Sequence, residues 1–107
     1  MTFFEEQLEQ GIFQICYCQN CNKTLWPPKE ICHTCHKKID WKESKNLGKI
    51  IGFSKKDSTY FGLVEIDNGI IILGDILCSS EPKIGQSVKM NVSFHNRPHY
   101  SFIVKNN

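Results

Sequence analysis

Four cysteines, Cys18, Cys21, Cys32 and Cys35, read Cys-x-x-Cys, ten residues, Cys-x-x-Cys. This spacing restricts the fold more than any other feature of the chain. Two cysteine hooks about a dozen residues apart fold back on each other as paired knuckles, and four thiolates then converge on one tetrahedral ion. The expected product is a zinc ribbon with a closed, structural Zn2+ site that leaves no coordination position for water. Disulfides are the competing use of six cysteines in 107 residues. Met1 to Gln10 weighs against them, being acidic and lacking both the cationic start and the apolar core of a secretory signal. The expected compartment is therefore the reducing cytoplasm, where paired thiols hold metals more often than they form bridges. Iron in a four-thiolate site of rubredoxin type is the other metal that the spacing allows.

Cys16 and Cys78 remain, and both are expected to behave as small buried hydrophobes. Cys16 lies two before Cys18, so on an extended strand it points the same way and is a rival ligand. The residue after the second cysteine of a knuckle often takes a left-handed conformation that favours glycine. Here those residues are Asn22 and His36. His33 and His36 flank the second pair as lesser candidates for ligation.

Thr2 and Glu5 form a capping box and Gly11 is a stop, which predicts a helix over residues 2–10. Phe4 and Leu8 share one face with Phe3 alongside, and so short a helix needs a surface to pack on, its own ribbon or another protein. Residues 12–16 predict a strand entering the first knuckle. Trp26-Pro27-Pro28-Lys29 reads as a stiff extended step between the knuckles, and Trp41 as part of a returning strand. From Leu47 the chain turns to short strands, over 48–55, 60–66, 70–77, 88–94 and 100–105, with a hairpin turn at Asp67-Asn68-Gly69. Ile70 to Leu77 is nearly continuous apolar, as expected of a strand buried on both faces. Val88, Met90, Val92 and Phe94 alternate with Lys89, Asn91, Ser93 and His95, which predicts a half-buried strand. The expected fold is mainly β: a short N-terminal helix, a rubredoxin-like zinc ribbon, then a small five-stranded OB-fold barrel, with an SH3-like barrel as the alternative. The expected division is residues 1–46 and 47–107.

Thirteen basic residues face eleven acidic ones, and the pI of about 8.2 lies below the usual footprint of a nucleic-acid binder. The longest apolar run, Ile70 to Leu73, is too short to cross a bilayer. No Ser/His/Asp or Cys/His set declares itself, so the chain is expected not to be an enzyme. His95, Arg97 and His99, on the turn before the last strand, come nearest to an anion site. An OB barrel also permits single-stranded nucleic-acid binding. Phe53, Tyr60, Phe61 and Tyr100 would then supply stacking, and Lys49, Lys55, Lys56 and Lys89 charge.

With Phe4, Leu8 and Gly11, then Cys18-Gln-Asn-Cys21, Trp26-Pro27-Pro28-Lys29, Cys32-His-Thr-Cys35 and Trp41, the chain resembles a family of acyl-CoA-associated zinc-ribbon/OB-fold proteins of archaea and bacteria. The resemblance continues through Gly48-Lys-Ile, Glu65-Ile-Asp-Asn-Gly69 and Ile84-Gly85-Gln-Ser-Val88 and covers nearly the whole chain. It implies a noncatalytic scaffold subunit whose helix and ribbon dock on a thiolase-fold or acyl-CoA synthase-type partner. On that reading Phe3, Phe4, Leu8, Trp26, Pro27 and Pro28 are docking candidates. The resemblance also implies a barrel near the acyl-CoA path, where Lys55, Lys56 and Arg97 are candidates for contact with coenzyme A phosphates. The family usually has glycine after each Cys-x-x-Cys, and this chain does not.

Overall fold

The computed structural model describes residues 2–67 and 69–105. Within the expected Asp67-Asn68-Gly69 turn, Asn68 therefore lies outside the described residues. Helix α1 (Phe3–Glu9) starts at the capping box: Glu5 N–H donates to Thr2 Oγ1 at 3.2 Å, and Thr2 N–H donates to the Glu5 carboxylate at 3.0 Å. Beyond it Gly11 adopts φ 80°, open to a residue without a side chain. Strands β1 (Gln14–Cys18), β2 (Lys23–Leu25) and β3 (Asp40–Glu43) follow as an antiparallel sheet in the order β2-β1-β3. β2 pairs with β1 as the second arm of the first knuckle. After it the chain bends at Trp26 and Pro27 instead of running extended, and their peptide bond is cis.

Strands β4 (Leu47–Lys56), β5 (Thr59–Ile66), β6 (Ile70–Leu77), β7 (Ser87–Phe94) and β8 (Pro98–Val104) close into a barrel in the order β4-β5-β6-β8-β7, with β7 returning to β4. Among the described strands, only β6 and β8 pair in parallel. This is the five-stranded OB arrangement expected from the sequence. Gly62, Val64 and Ile66 of β5 and Val88, Met90 and Val92 of β7 fill the interior, as period-two alternation requires.

β6 corrects one expectation. Its residues are not buried on both faces: Ile70, Ile72 and Ile76 point inward, whereas Ile71, Leu73 and Leu77 stand outside. A strand of a closed barrel has one face on the core. Double burial needs a helix or a second sheet over the other face, and no described element covers this one.

One core joins the helix and ribbon to the barrel. Phe4, Leu8, Phe13 and Ile15 cluster with Ile50, Val64, Met90 and Phe102. Phe13 is fully buried at the junction, its ring 5.6 Å from Phe4, 5.5 Å from Trp26 and 6.0 Å from Tyr100. Burial there pushes the Tyr100 phenol up to about 12. A polar strap lies beside it. Ser44 N–H donates to the Phe13 carbonyl at 2.8 Å, and the Ser44 hydroxyl donates to Asp67 at 2.7 Å.

The parallel seam between β6 and β8 depends on Gly74. A Cβ there would lie 2.5 Å from the Tyr100 carbonyl oxygen and 2.9 Å from the Phe102 ring, and the nearer obstacle is backbone. Gly74→Val is expected to cost about 3 kcal/mol and to lower the melting temperature by on the order of 15 °C. Differential scanning calorimetry checks this; an unchanged melting point would mean that the seam opens without cost.

Candidate metal centre

The two knuckles hold their cysteines by local backbone geometry. Asn22 (φ 52°) and His36 (φ 60°) both adopt the left-handed conformation at the position where glycine is favoured. In the second knuckle His36 N–H donates to the Cys32 carbonyl at 2.8 Å, and Cys32 N–H to the Lys37 carbonyl at 3.0 Å. Across the knuckles the Lys23 ammonium donates to Thr34 Oγ1 at 2.6 Å. The folded-back hooks bring the sulfurs of Cys18, Cys21, Cys32 and Cys35 within 4.8 Å of one another. Cys18 and Cys35 lie 3.5 Å apart, Cys21 and Cys32 3.8 Å. A tetrahedral ion with metal–sulfur bonds of about 2.3 Å requires sulfur–sulfur edges of about 3.8 Å. The four thiols therefore fit one tetrahedral metal ion, and all six cysteines of the chain are free of disulfides.

The sulfurs are not equivalent. Backbone N–H groups of Cys35 and Thr34 stabilise the Cys32 thiolate and lower its pKa to about 6. The Lys37 backbone N–H lowers Cys35 in the same way. Cys21 is pushed up to about 12, first by desolvation and then by its three sulfur neighbours. Four thiolates this close repel one another unless a cation joins them, so the arrangement suits a metal better than four free thiols.

Cys16 is buried, as expected, but is not one of the four clustered sulfurs: its thiol donates to the Lys29 carbonyl at 3.1 Å. Burial raises its pKa, the first of several influences. Cys78 is half-buried. His33 and His36 are exposed, and His33 Nδ1 lies 3.5 Å from the Lys29 ammonium.

Phe4 and Leu8 face inward, Leu8 completely, so the side chains expected at a docking surface belong to the chain's own core. The physical reason is that Phe13, Trp26 and Trp41 supply the apolar partner a short helix needs. Phe3 remains outside, 45% exposed, with its ring 5.3 Å from Trp41. Phe3, Pro28 and Trp41 line a groove of about 240 Å³ that reaches Pro98 at the start of β8. Trp26 is half-buried and Pro27 exposed. Phe13 and Trp41, which organise this corner, carry only a weak signal in the sequence, since nothing local marks them as a meeting point.

Lys55 and Lys56 end β4, and the Lys55 ammonium sits 5.6 Å from the centre of the Tyr60 ring. Arg97 belongs to the other end of the barrel sequence, in a shallow groove with Phe61, Leu73, Asp75 and His99. Lys55 and Lys56 thus lie on the β4–β5 hairpin and Arg97 on the β7–β8 hairpin. Of the aromatics suited to stacking on bases, Phe53, Tyr60 and Tyr100 pack against the core, and Phe61 faces outward.

No family model matches the sequence, and no curated protein matches it either. Solved structures do. One is named "Ltp2-ChsH2(DUF35) aldolase": it superposes with a TM-score of 0.77 at 18% identity, over 95% of this chain and 91% of that one. The fold is that of the DUF35 proteins. A second, a DUF35-family protein of unknown function from Sulfolobus solfataricus, gives a TM-score of 0.68 at 19% identity, over 95% of this chain and 82% of the other. The resemblance read from the cysteine spacing and the Trp-Pro-Pro-Lys step thus holds at the level of the fold. The DUF35 fold also brings a correction. The chain was expected not to be an enzyme, yet a chain of this fold belongs to a structure named as an aldolase. The expectation rested on the missing catalytic set within one chain, which does not bear on what an assembly of chains does. No described helix is long and apolar enough to cross a membrane.

Proposed function

We propose that this chain is a zinc-stabilised scaffold subunit of a thiolase-type acyl-CoA enzyme complex. The observation that carries the reading is the likeness over 95% of the chain to a DUF35 structure named as an aldolase together with Ltp2. Cys18, Cys21, Cys32 and Cys35 hold Zn2+, in keeping with an all-thiolate tetrahedral donor set. The ribbon with its helix (residues 1–46) and the barrel (47–107) act as two units sharing one core. Docking on the partner enzyme falls to the groove at Phe3, Pro28 and Trp41, with Pro27 at its edge and Trp26, Phe4 and Leu8 as its support. Coenzyme A phosphates meet Lys55, Lys56 and Arg97 at the rim of the barrel. The free thiols suit a reducing cytoplasm.

Co-expression with a thiolase-fold enzyme from the same genome tests this. The two are expected to co-purify with little dependence on salt, because the groove is largely apolar. Phe3→Ser combined with Pro28→Ser is expected to weaken retention at least tenfold at unchanged zinc content. Retention of single-stranded oligonucleotides, lost steeply as salt rises, would overturn the reading in favour of strand binding. Titration calorimetry with coenzyme A, for the wild type and for Lys55→Ala with Lys56→Ala, tests the phosphate contacts separately.

A further inference from the structure

The ribbon sheet has an open edge beside the groove at Phe3. In the order β2-β1-β3, strand β3 pairs with β1 on one side only. Ser44 N–H, just beyond β3, donates to the Phe13 carbonyl, just before β1. Backbone groups alternate in direction along an antiparallel strand, so Lys42 and Asp40 also bond towards β1. The N–H and C=O groups of Trp41 and Glu43 therefore point away from the sheet, and among the described residues nothing bonds to them. Asp40, Lys42 and Glu43 are exposed and Trp41 is half-buried. Proline, a bulge or a covering segment usually blunts such an edge; β3 has no proline and an unbroken register. The opposite edge, β2, is three residues long and does not line the groove.

The edge and its side chains together specify an occupant. Only an extended backbone can use the Trp41 and Glu43 groups in full, and it does so as a fourth strand. Side chains directly opposite one another share a face. The residue opposite Trp41 thus enters the groove between Trp41, Phe3 and Pro28, whose volume of about 240 Å³ takes one large apolar side chain. Its two neighbours fall on the other face, opposite Lys42 and Asp40. An antiparallel segment therefore matches this edge when it reads acid, large apolar, base, with the acid on Lys42 and the base on Asp40. A second copy of β3 reads Asp40-Trp41-Lys42 and satisfies the charges. Its Trp41, however, is already packed on its own Phe3 and Phe4, with ring centres 5.3 and 6.5 Å away, and is not free to fill the groove. A segment of a different protein has no such restriction.

We infer that the β3 edge receives an extended segment of the partner enzyme, reading acid, large apolar, base, as an added antiparallel strand. This rests on the reading of the groove at Phe3 as the docking site. Nuclear magnetic resonance titration of the metal-loaded chain tests the edge without the enzyme. The probe is the peptide Thr-Glu-Phe-Lys-Thr with blocked ends, added to millimolar concentration. The Trp41 and Glu43 amides are expected to shift saturably. N-methylation of the peptide at its phenylalanine removes the bond to the Trp41 carbonyl and is expected to weaken binding at least tenfold. Amides that stay in place, or an N-methylated peptide that binds equally well, overturn the inference.

The co-expressed thiolase-fold enzyme provides the second arm. Glu43→Pro removes an outward N–H and leaves the bonds to β1 in place, as proline on an edge strand can. Retention of the enzyme is expected to fall at least tenfold at unchanged zinc content, whereas Glu43→Ala retains it. An enzyme held equally by Glu43→Pro, but lost with Phe3→Ser and Pro28→Ser, overturns strand addition and leaves the docking reading intact. An enzyme that the wild type fails to hold overturns the docking reading, and the peptide titration then decides the edge. A wild type that sediments at twice 12.4 kDa, and at the single-chain mass in Glu43→Pro, gives the edge to a second copy and overturns the inference.

Discussion

Cys32→Ala is expected to reduce bound metal from equimolar to below a tenth of an equivalent and to melt the ribbon. Cys32 is fully buried, and it is the sulfur most stabilised as a thiolate, by the Cys35 and Thr34 N–H groups. Its loss leaves three ligands around a site whose edges suit four. Structural zinc sites in small domains contribute about 10–16 kcal/mol of apparent binding free energy, as much as the whole stability of an ordinary domain, about 5–15 kcal/mol. A ribbon this short buries too little to stand without it. Cys16→Ala is the informative control: its thiol turns to the Lys29 carbonyl, so metal content should not change. Elemental analysis and thermal melting decide both. If Cys16→Ala lost the metal instead, the ligand set would be wrong.

Acid should act in the same direction as the substitution. Cys32 has a folded-state pKa below that of an ordinary thiol, so its contribution is present above the ordinary value and lost as pH falls through about 6. Cys21 has the opposite sign: raised to about 12, it favours the fold of the metal-free chain at lower pH and ceases to do so as pH rises through that value. Metal binding displaces the thiol protons, so affinity should drop with falling pH, and more steeply below about 6, where Cys32 also takes up its proton.

Phe13→Ala is expected to cost about 3–5 kcal/mol and to melt helix, ribbon and barrel together at a lower temperature. The ring is buried and touches the helix through Phe4, the ribbon through Trp26 and the barrel through Tyr100. Truncating it leaves a cavity bounded by three separate elements, none of which can close it alone. Phe13→Leu, keeping most of the volume, should cost less than half as much. Chemical denaturation followed both by metal release and by far-ultraviolet circular dichroism distinguishes the outcomes. Two separated transitions in the wild type would mean that Phe13 does not couple the parts.

The amino-acid sequence by itself determined the metal knuckles, the capped helix and the inner face of the barrel. Each of these is written in spacing over a few residues: two Cys-x-x-Cys hooks, a threonine three before a glutamate, and apolar residues alternating from Val88 to Val92. Even the left-handed backbone at Asn22 and His36 follows from their places after the second cysteines. The tertiary structure alone decided which apolar surfaces find cover. Phe4 and Leu8 could have faced a partner, but Phe13 and the more distant Trp26 and Trp41 closed over the helix. Ile70 to Leu77 could have been buried on both sides, but closure of the barrel gave it one core and left Ile71, Leu73 and Leu77 bare. The physical reason is that hydrophobicity specifies that a surface should leave water without specifying what it meets. That choice depends on contacts between residues far apart in the chain, whose identity no local pattern records.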